Sequence, residues 1–162
     1  MAVRYLKMIL VACVGLMALL YGLQNIVNIQ AAFQVVGTVL SMSDHAYYPS
    51  SIGPSIESPV LVWLALALII GSELAAGLLA MKGAWDLWSS RAAQAPVYNQ
   101  AKTYALLGCG LGAIVWFGFF GVLGSAYFQM WQTELGAMSL DGAFQYFVSC
   151  ILVLIFVNMP DD

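Results

Sequence analysis

Four long apolar runs constrain the fold of this chain more than any other feature of its sequence. They cover roughly residues 6–27, 59–81, 103–127 and 142–159. About 20 mainly apolar residues are enough for a helix to cross the hydrocarbon layer of a bilayer. The runs are continuous and lack the alternation of barrel strands. The sequence therefore predicts an all-α integral membrane protein, a four-transmembrane-helix bundle that forms one membrane domain over residues 1–162.

Composition agrees with a membrane protein. Hydrophobic residues make up 62% of the chain and charged residues 8%, whereas charged residues make up about 25% of a typical soluble domain. The formal net charge is −3, and the few basic residues lie near the ends of the apolar runs. The lipid bilayer is therefore the first predicted partner, and no cationic surface is available for nucleic acid.

The basic residues predict the orientation in the membrane. All five lie at the start of the first run or between the second and the third: Arg4, Lys7, Lys82, Arg91 and Lys102. Loops that carry Lys and Arg remain on the cytoplasmic side. We therefore expect both termini and the loop 82–102 to be cytoplasmic, with the loops 28–58 and 128–141 outside.

The first run is followed by an amphipathic segment. Apolar residues recur there at spacings of three and four, at Ile26, Ile29, Phe33, Val36 and Leu40. This periodicity is typical of a helix with one apolar face. It predicts a helical continuation of the first span at the outer surface.

Five short motifs distributed along the chain resemble those of one bacterial family. They are Leu19–Asn25, Ser72–Gly77, Gly83–Trp88, Tyr127–Gln132 and Asn158–Asp161. On these motifs the chain resembles, nearly end to end, the predicted small integral membrane proteins of domain-of-unknown-function family 2165. The resemblance implies a four-helix protein in the inner membrane of Gram-negative bacteria, and it implies no particular activity.

Glu73 is the one acidic residue inside an apolar run, about 4.5 Å past the midpoint of the second run. A lone ionised carboxylate at this depth is costly. It is interpreted either as a proton or cation site or as a neutral group hydrogen-bonded between helices. Counting residues along the other runs places Cys13, Gly15 and residues 109–112 at a similar depth. Ser72 is adjacent in sequence but points about 100° away on a helix.

The third run is rich in glycine, at Gly108, Gly112, Gly118, Gly121 and Gly124. Small residues at spacings of three or four let another helix approach closely in a membrane. Packing within the four helices is the favoured interpretation, and a seam between two copies of the chain is the alternative.

Polar amides cluster at the predicted outer ends of the first and third runs: Gln24, Asn25, Asn28, Gln129 and Gln132. They form either a shallow polar pocket or docking surface, or an ordinary hydrated layer at the headgroups.

No metal site or cofactor is predicted. Cys13, Cys109 and Cys150 each lie singly inside a run, which favours packing over metal binding or a redox pair. The single histidine, His45, follows Asp44 in the outer loop, where the pair is suited at most to weak metal binding.

Two functions remain open from the sequence. The favoured hypothesis is a noncatalytic accessory or structural subunit that associates with a larger membrane complex. The alternative is a small proton- or cation-coupled transporter that uses Glu73, as a homodimer. An enzyme has the least support because no nucleophile is paired with a base and no metal ligands cluster.

Overall fold

The structure is a computed structural model, and it describes residues 1–43 and 45–161. Its helices are α1 (Ala2–Val27), α2 (Ile29–Ser41), α3 (Pro59–Ser89), α4 (Ala95–Gln100), α5 (Thr103–Ala113) and α6 (Glu134–Asn158). A π-helical segment, Ile114–Tyr127, continues α5, and a short 3₁₀ turn, Met130–Gln132, precedes α6. Over the described residues there is no strand, and four helical stretches are long and apolar enough to cross a membrane. The all-α, four-transmembrane-helix prediction is confirmed.

The helices are longer than the apolar runs that predicted them. Helix α3 continues to Ser89, and α6 begins at Glu134 instead of near residue 142. Thr133 caps α6, since its Oγ1 accepts a hydrogen bond of 3.0 Å from the backbone N–H of Gly136. Apolar composition marks only the part of a helix that meets hydrocarbon, whereas capping and packing determine where the helix ends.

Helix α3 lies at the centre of the bundle, with α1 packed along one side in antiparallel register. A Cβ atom on Gly15 would meet Met81 at 3.0 Å, and a Cβ atom on Gly77 would lie 2.6 Å from the Leu19 side chain. Glycine at such positions lets two helices approach to backbone contact.

Helix α5 packs on the other side of α3, and the approach is closer still. A Cβ atom on Gly108 would overlap the backbone of Ala80, and one on Gly83 would overlap the backbone of Ala105. These positions have no room for a side chain, so the α3–α5 distance depends on glycine.

Helix α2 continues beyond α1 after a break at Asn28, whose φ is −108° and ψ is 35°. It follows α3 instead of lying apart from the bundle. Phe33 packs on Trp63 with ring centroids 4.6 Å apart, and the carbonyl of Leu40 accepts a hydrogen bond of 2.8 Å from the N–H of Ile56. The amphipathic face predicted from the spacing is thus used against α3.

Both termini lie at the same end of the bundle, called here the basic end. The Lys7 ammonium is 2.6 Å from the carboxylate of Asp161, and the Arg4 guanidinium donates a hydrogen bond of 2.7 Å to the carbonyl of Ala93. Two termini at the same end of the bundle agree with four crossings of the membrane, which is an even number. That the basic end is cytoplasmic stays a prediction from the charge distribution.

Candidate functional site

The Glu73 carboxyl is buried near the middle of α3, where its residue is 2% exposed. Asn25, from α1, donates a hydrogen bond of 3.0 Å from Nδ2 to Oε2. A side-chain amide therefore meets the intramembrane acid, and it comes from the neighbouring helix. This contact joins a predicted outer amide to the predicted proton or cation site.

The depth counted from the sequence differs from the depth in the structure. Gly22 is beside Glu73, because a Cβ atom there would lie 3.5 Å from the Glu73 Cβ, whereas Gly15 faces Met81. Seven residues separate Gly15 from Gly22, which is about 10 Å along a helix. The count assumed that each apolar run is centred in the bilayer, and α1 is instead displaced along α3.

One oxygen of Glu73 has no hydrogen-bond partner among the described residues. Asn25 alone hydrogen-bonds to the carboxyl there, and it does so through Oε2. Oε1 is therefore left unpaired by these residues, while Ser72, the preceding residue in sequence, is half-buried.

A cleft of about 490 Å³ lies beside this pair, with α2 and the C-terminal end of α1 on one wall and the π-helical segment on the other. We call it the α2 cleft. Its floor is α3 at Ala65, Leu66 and Ile69, and Asn25 lines it. Since Ile69 is one helical turn from Glu73, Asn25 connects the cleft to the buried carboxyl.

Three aromatic rings form a cluster beside the α2 cleft, which Tyr21 lines. Tyr21 lies 4.5 Å from Tyr146 and 6.4 Å from Trp116 between ring centroids, and the last two rings are 5.3 Å apart. Such tilted and edge-on arrangements are favourable for aromatic pairs. The cluster joins α1, the π-helical segment and α6.

The five predicted outer amides divide into two groups. Gln24, Asn25 and Asn28 line the α2 cleft. Gln132 is instead buried in a loop contact, where its Oε1 accepts hydrogen bonds of 2.9 Å and 2.6 Å from the N–H groups of Tyr47 and Tyr48. This contact fastens the long loop to the turn before α6.

Gln129 belongs to the second group. Its Oε1 accepts a hydrogen bond of 2.8 Å from Nε2 of Gln132, and its φ of 51° places its backbone in the left-handed region. The amides after the third span therefore support the loop, and the amides after the first span face the cleft.

A second polar centre, which the sequence analysis did not identify, lies at the basic end. The Asp161 carboxylate is 2.6 Å from the ammonium groups of both Lys7 and Lys102, and 3.9 Å from Nε of Arg4. The side chains of these lysines are 2% and 4% exposed. The two ammonium groups also donate hydrogen bonds, of 2.6 Å and 2.8 Å, to the carbonyl of Met159.

Asn99 completes this centre. Its Oδ1 accepts from the Lys102 ammonium at 2.6 Å and from the Asp161 N–H at 3.2 Å, and its Nδ2 donates to the Asp161 carbonyl at 3.1 Å. The sequence analysis used the basic residues only as markers of orientation. A signal was present in the motif Asn158–Asp161, which places an acid directly after the last span.

The environment of Asp161 favours its charged form. Burial by itself would raise the pKa of this carboxyl, but the hydrogen bonds and charges of Lys102 and Lys7 outweigh it and hold the pKa below its ordinary value. An acid between two ammonium groups stabilises the end of the chain by charge pairing.

The glycines of the third span face different surroundings. Gly108 meets Ala80, Gly112 meets Cys150, and Gly124 meets Met130. A Cβ atom on Gly118 or Gly121 would meet only Ile114 or Phe117, which belong to the same helical segment.

The surroundings of the glycines change where the helix becomes π-helical. Each hydrogen bond of a π-helix joins residues five positions apart, as between the Phe128 N–H and the Leu123 carbonyl at 2.9 Å. π-helical turns are rare and are frequent at functional sites. The wider turn shifts the side-chain phase relative to α5, so glycines further along no longer point where those of α5 point.

Cysteine and histidine residues form no assembled site in the described ranges. Cys109 and Cys150 are buried, and Cys13 is exposed on α1. No group of three or more His, Cys, Asp and Glu side chains in residues 1–43 and 45–161 is arranged to hold a metal ion. The predicted weak pair with His45 includes Asp44, which lies outside the described residues.

Four apolar helical stretches in the described chain, a buried acid–amide pair and a charged centre at one end define a small polytopic α-helical membrane protein. Residues 3–160 match the family described as predicted small integral membrane protein (DUF2165), so the chain belongs to that family. The resemblance seen in the sequence motifs is confirmed. Neither the curated proteins nor the solved structures include a match.

Proposed function

We propose that this protein is a noncatalytic accessory or structural subunit of a larger membrane assembly. The observation that supports this most directly is the use of its buried acids. Asp161 is held by Lys7 and Lys102, and Glu73 is held by Asn25. Polar groups that are used to join helices of the same chain stabilise a scaffold.

A noncatalytic role also agrees with the position of Ser72. A nucleophile needs a base within hydrogen-bond reach, and the nearest acid to Ser72 in sequence is Glu73. Adjacent helical residues point about 100° apart, so the two side chains do not face a common substrate.

The surface for a partner would be the face of the π-helical segment that carries Gly118 and Gly121. The large neighbours Phe117 and Val122 are exposed there, and no other described helix occupies the space above the two glycines. A helix of another membrane protein can approach such a face closely.

The test is purification of the tagged chain from its native membrane in mild detergent, followed by mass spectrometry. We compare the native chain, Gly121→Leu and Gly71→Leu. The first variant places a leucine on the proposed partner face, and the second makes the same change at an exposed glycine of α3, where a Cβ atom would contact nothing within 4 Å. We expect one defined membrane complex, in constant stoichiometry, with the native chain and Gly71→Leu, and its loss with Gly121→Leu. Recovery of the native chain without a complex would contradict the proposal.

A second candidate function is proton- or cation-coupled transport by a homodimer. It is favoured by the Glu73 Oε1, which accepts no hydrogen bond from the described residues, and by Asn25, which touches both this carboxyl and the α2 cleft. In liposomes containing a pH-sensitive dye, Glu73→Gln should abolish a proton flux and leave the fold intact. Glu57→Gln, which changes an exposed acid of the loop, is the matched control. Equal flux in native and Glu73→Gln protein would exclude this function.

A further inference from the structure

Two amides in the α2 cleft have unused hydrogen-bonding groups. Asn28 donates from Nδ2 to the backbone carbonyl of Gln24 at 2.9 Å and to its Oε1 at 3.4 Å. Within the described residues, the Gln24 Nε2 donors and the Asn28 Oδ1 acceptor take part in no other hydrogen bond. Both residues are exposed and line the cleft.

These amides line a cleft whose α3 residues fall inside the predicted second span, residues 59–81. Asn25 reaches Glu73, and Leu68 lines the cleft on the α3 side. Leu68 is nine residues from Pro59, the first residue of α3, which corresponds to about 14 Å along the helix. A polar group without a partner at such a depth costs free energy, so a bound polar atom in the cleft would stabilise the protein.

Apart from its amides, Tyr21 and Ser139, the cleft is lined by apolar side chains. Phe119, Phe120 and Leu123 form the wall opposite Val35 and Val36, and no charged side chain is among the described residues that line it. Its volume of about 490 Å³ falls within the range of small-molecule sites, which is about 300–1,000 Å³. Leu68 and Leu123 are half exposed, so the cleft opens sideways toward lipid.

We propose that the α2 cleft binds an uncharged, carbonyl-bearing lipid. A carbonyl oxygen of the lipid accepts a hydrogen bond from the Gln24 amide, and its apolar chain lies between α2 and the π-helical segment. Charged lipids are disfavoured because no opposite charge lines the cleft to compensate for their desolvation. Isoprenoid quinones and diacylglycerols share this chemistry, and both dissolve in the bilayer. The inference is independent of the partner complex, since every group that it uses belongs to this chain.

Binding is measured by native mass spectrometry of delipidated protein titrated with three probes. These are a decyl-substituted benzoquinone, dioctanoylglycerol and dodecane, which has no oxygen atom. We expect one molecule of a carbonyl-bearing probe per chain, with saturable binding, and no comparable complex with dodecane. Preference for the benzoquinone or for the glyceride identifies which source supplies the ligand.

Two matched variants place the ligand in the cleft. Ala65→Trp adds a large side chain to the cleft floor, whereas Ala67→Trp adds it to an exposed position of the same helix outside the cleft. We expect binding to be lost in the first and retained in the second. Gln24→Leu provides an independent variant on α1, and it should weaken binding about fivefold, the effect of one hydrogen bond of about 1 kcal/mol.

Four outcomes would overturn the proposal. The first is equal binding of dodecane and the carbonyl-bearing probes, which would make the cleft a purely apolar groove. The second is binding that Ala65→Trp and Gln24→Leu leave unchanged, and the third is no saturable binding at all. A dimer that excludes the probes would also reject it, because a second copy of the chain would then fill the cleft.

Discussion

Asp161 and Glu73 are both enclosed by the bundle, but they are stabilised in different ways. Asp161 lies at the basic end with two ammonium groups at 2.6 Å, and its own charge is compensated. Glu73 lies in the middle of α3 with the neutral amide of Asn25 at 3.0 Å. The first arrangement is a charge-paired clamp, and the second is a hydrogen bond between two helices.

The difference follows from position along the bundle. Near a membrane end, long lysine stems can extend along the protein and bring their charged heads to a carboxylate. At mid-depth a full ion pair must overcome the desolvation of two charges. An amide partner requires no second charge, which suits a site beside an apolar cleft.

The largest effect should come from neutralising Asp161. Asp161→Asn leaves Lys7 and Lys102 buried without their counter-charge, and breaking a buried pair in this way costs about 3–5 kcal/mol. We expect a lower free energy of unfolding in detergent, measured by denaturant titration. Asp86→Asn is the control, because its pair with Lys82 is substantially exposed and should contribute under about 1 kcal/mol. Similar losses in both variants would refute the clamp.

The second-largest effect should be a difference in stability between alanine variants of two glycines in the third span. Gly108→Ala places a methyl group against the Ala80 backbone, and overpacking of this kind costs about 1–3 kcal/mol. Gly118→Ala adds the same methyl group where only Ile114 lies nearby, and it should change stability by less than about 0.5 kcal/mol. Thermal unfolding of the two variants in the same detergent measures this contrast. Equal destabilisation would mean that the π-helical face is also packed within the chain.

Removing the amide partner of Glu73 should have a smaller effect than neutralising Asp161. Asn25→Leu deletes the one hydrogen bond to the carboxyl that the described residues provide, which costs about 1–3 kcal/mol for a buried polar group. Glu73→Gln keeps an acceptor for Asn25 and should cost less. Chemical denaturation of the two variants ranks them, and a reversed order would show that the charge of Glu73 matters more than its hydrogen bond.

The smallest effect is the acid dependence of stability. The folded pKa of Asp161 is held below its ordinary value by Lys102 and Lys7 despite burial, and the ordinary value for an aspartate is about 3.9. A carboxyl of lowered folded pKa contributes stability above its unfolded pKa, and this contribution is lost as pH falls from that value through the folded pKa. Unfolding measured from pH 7 downward should show this loss below about pH 4, and Asp161→Asn should reduce it. An unchanged acid transition in the variant would assign the loss to other carboxyls.

Several parts of the fold were predictable because they depend on local composition. The four apolar stretches, the amphipathic face of α2 and the helix entrance at Pro59 each follow from residues close together in sequence. The π-helical geometry after Ala113 has no comparable signal in the glycine spacing. The ends of α3 and α6 also differ from the apolar boundaries, since helices continue into the headgroup region.

The candidate site was predictable only in part. Glu73 and Asn25 were both singled out, one as an intramembrane acid and the other as an outer amide, yet their contact was not foreseen. Depth counting treats every run as centred in the membrane, whereas the glycines at positions 15, 22 and 77 set the actual displacement of α1 along α3. The polar centre at Asp161 was also missed, because its partners Lys7 and Lys102 are distant from Asp161 in sequence.

By itself, the sequence determined that the chain is an all-α membrane protein, that it has four apolar stretches long enough to cross a bilayer, and which ends of these stretches carry positive charge. These properties depend on hydrophobicity and charge summed along short segments. The tertiary structure alone decided the helix register, the partners of Glu73 and Asp161, the different surroundings of Gly108 and Gly118, and the α2 cleft. Those features arise from close packing between distant segments, where a displacement of one helical turn, about 5.4 Å, changes every contact.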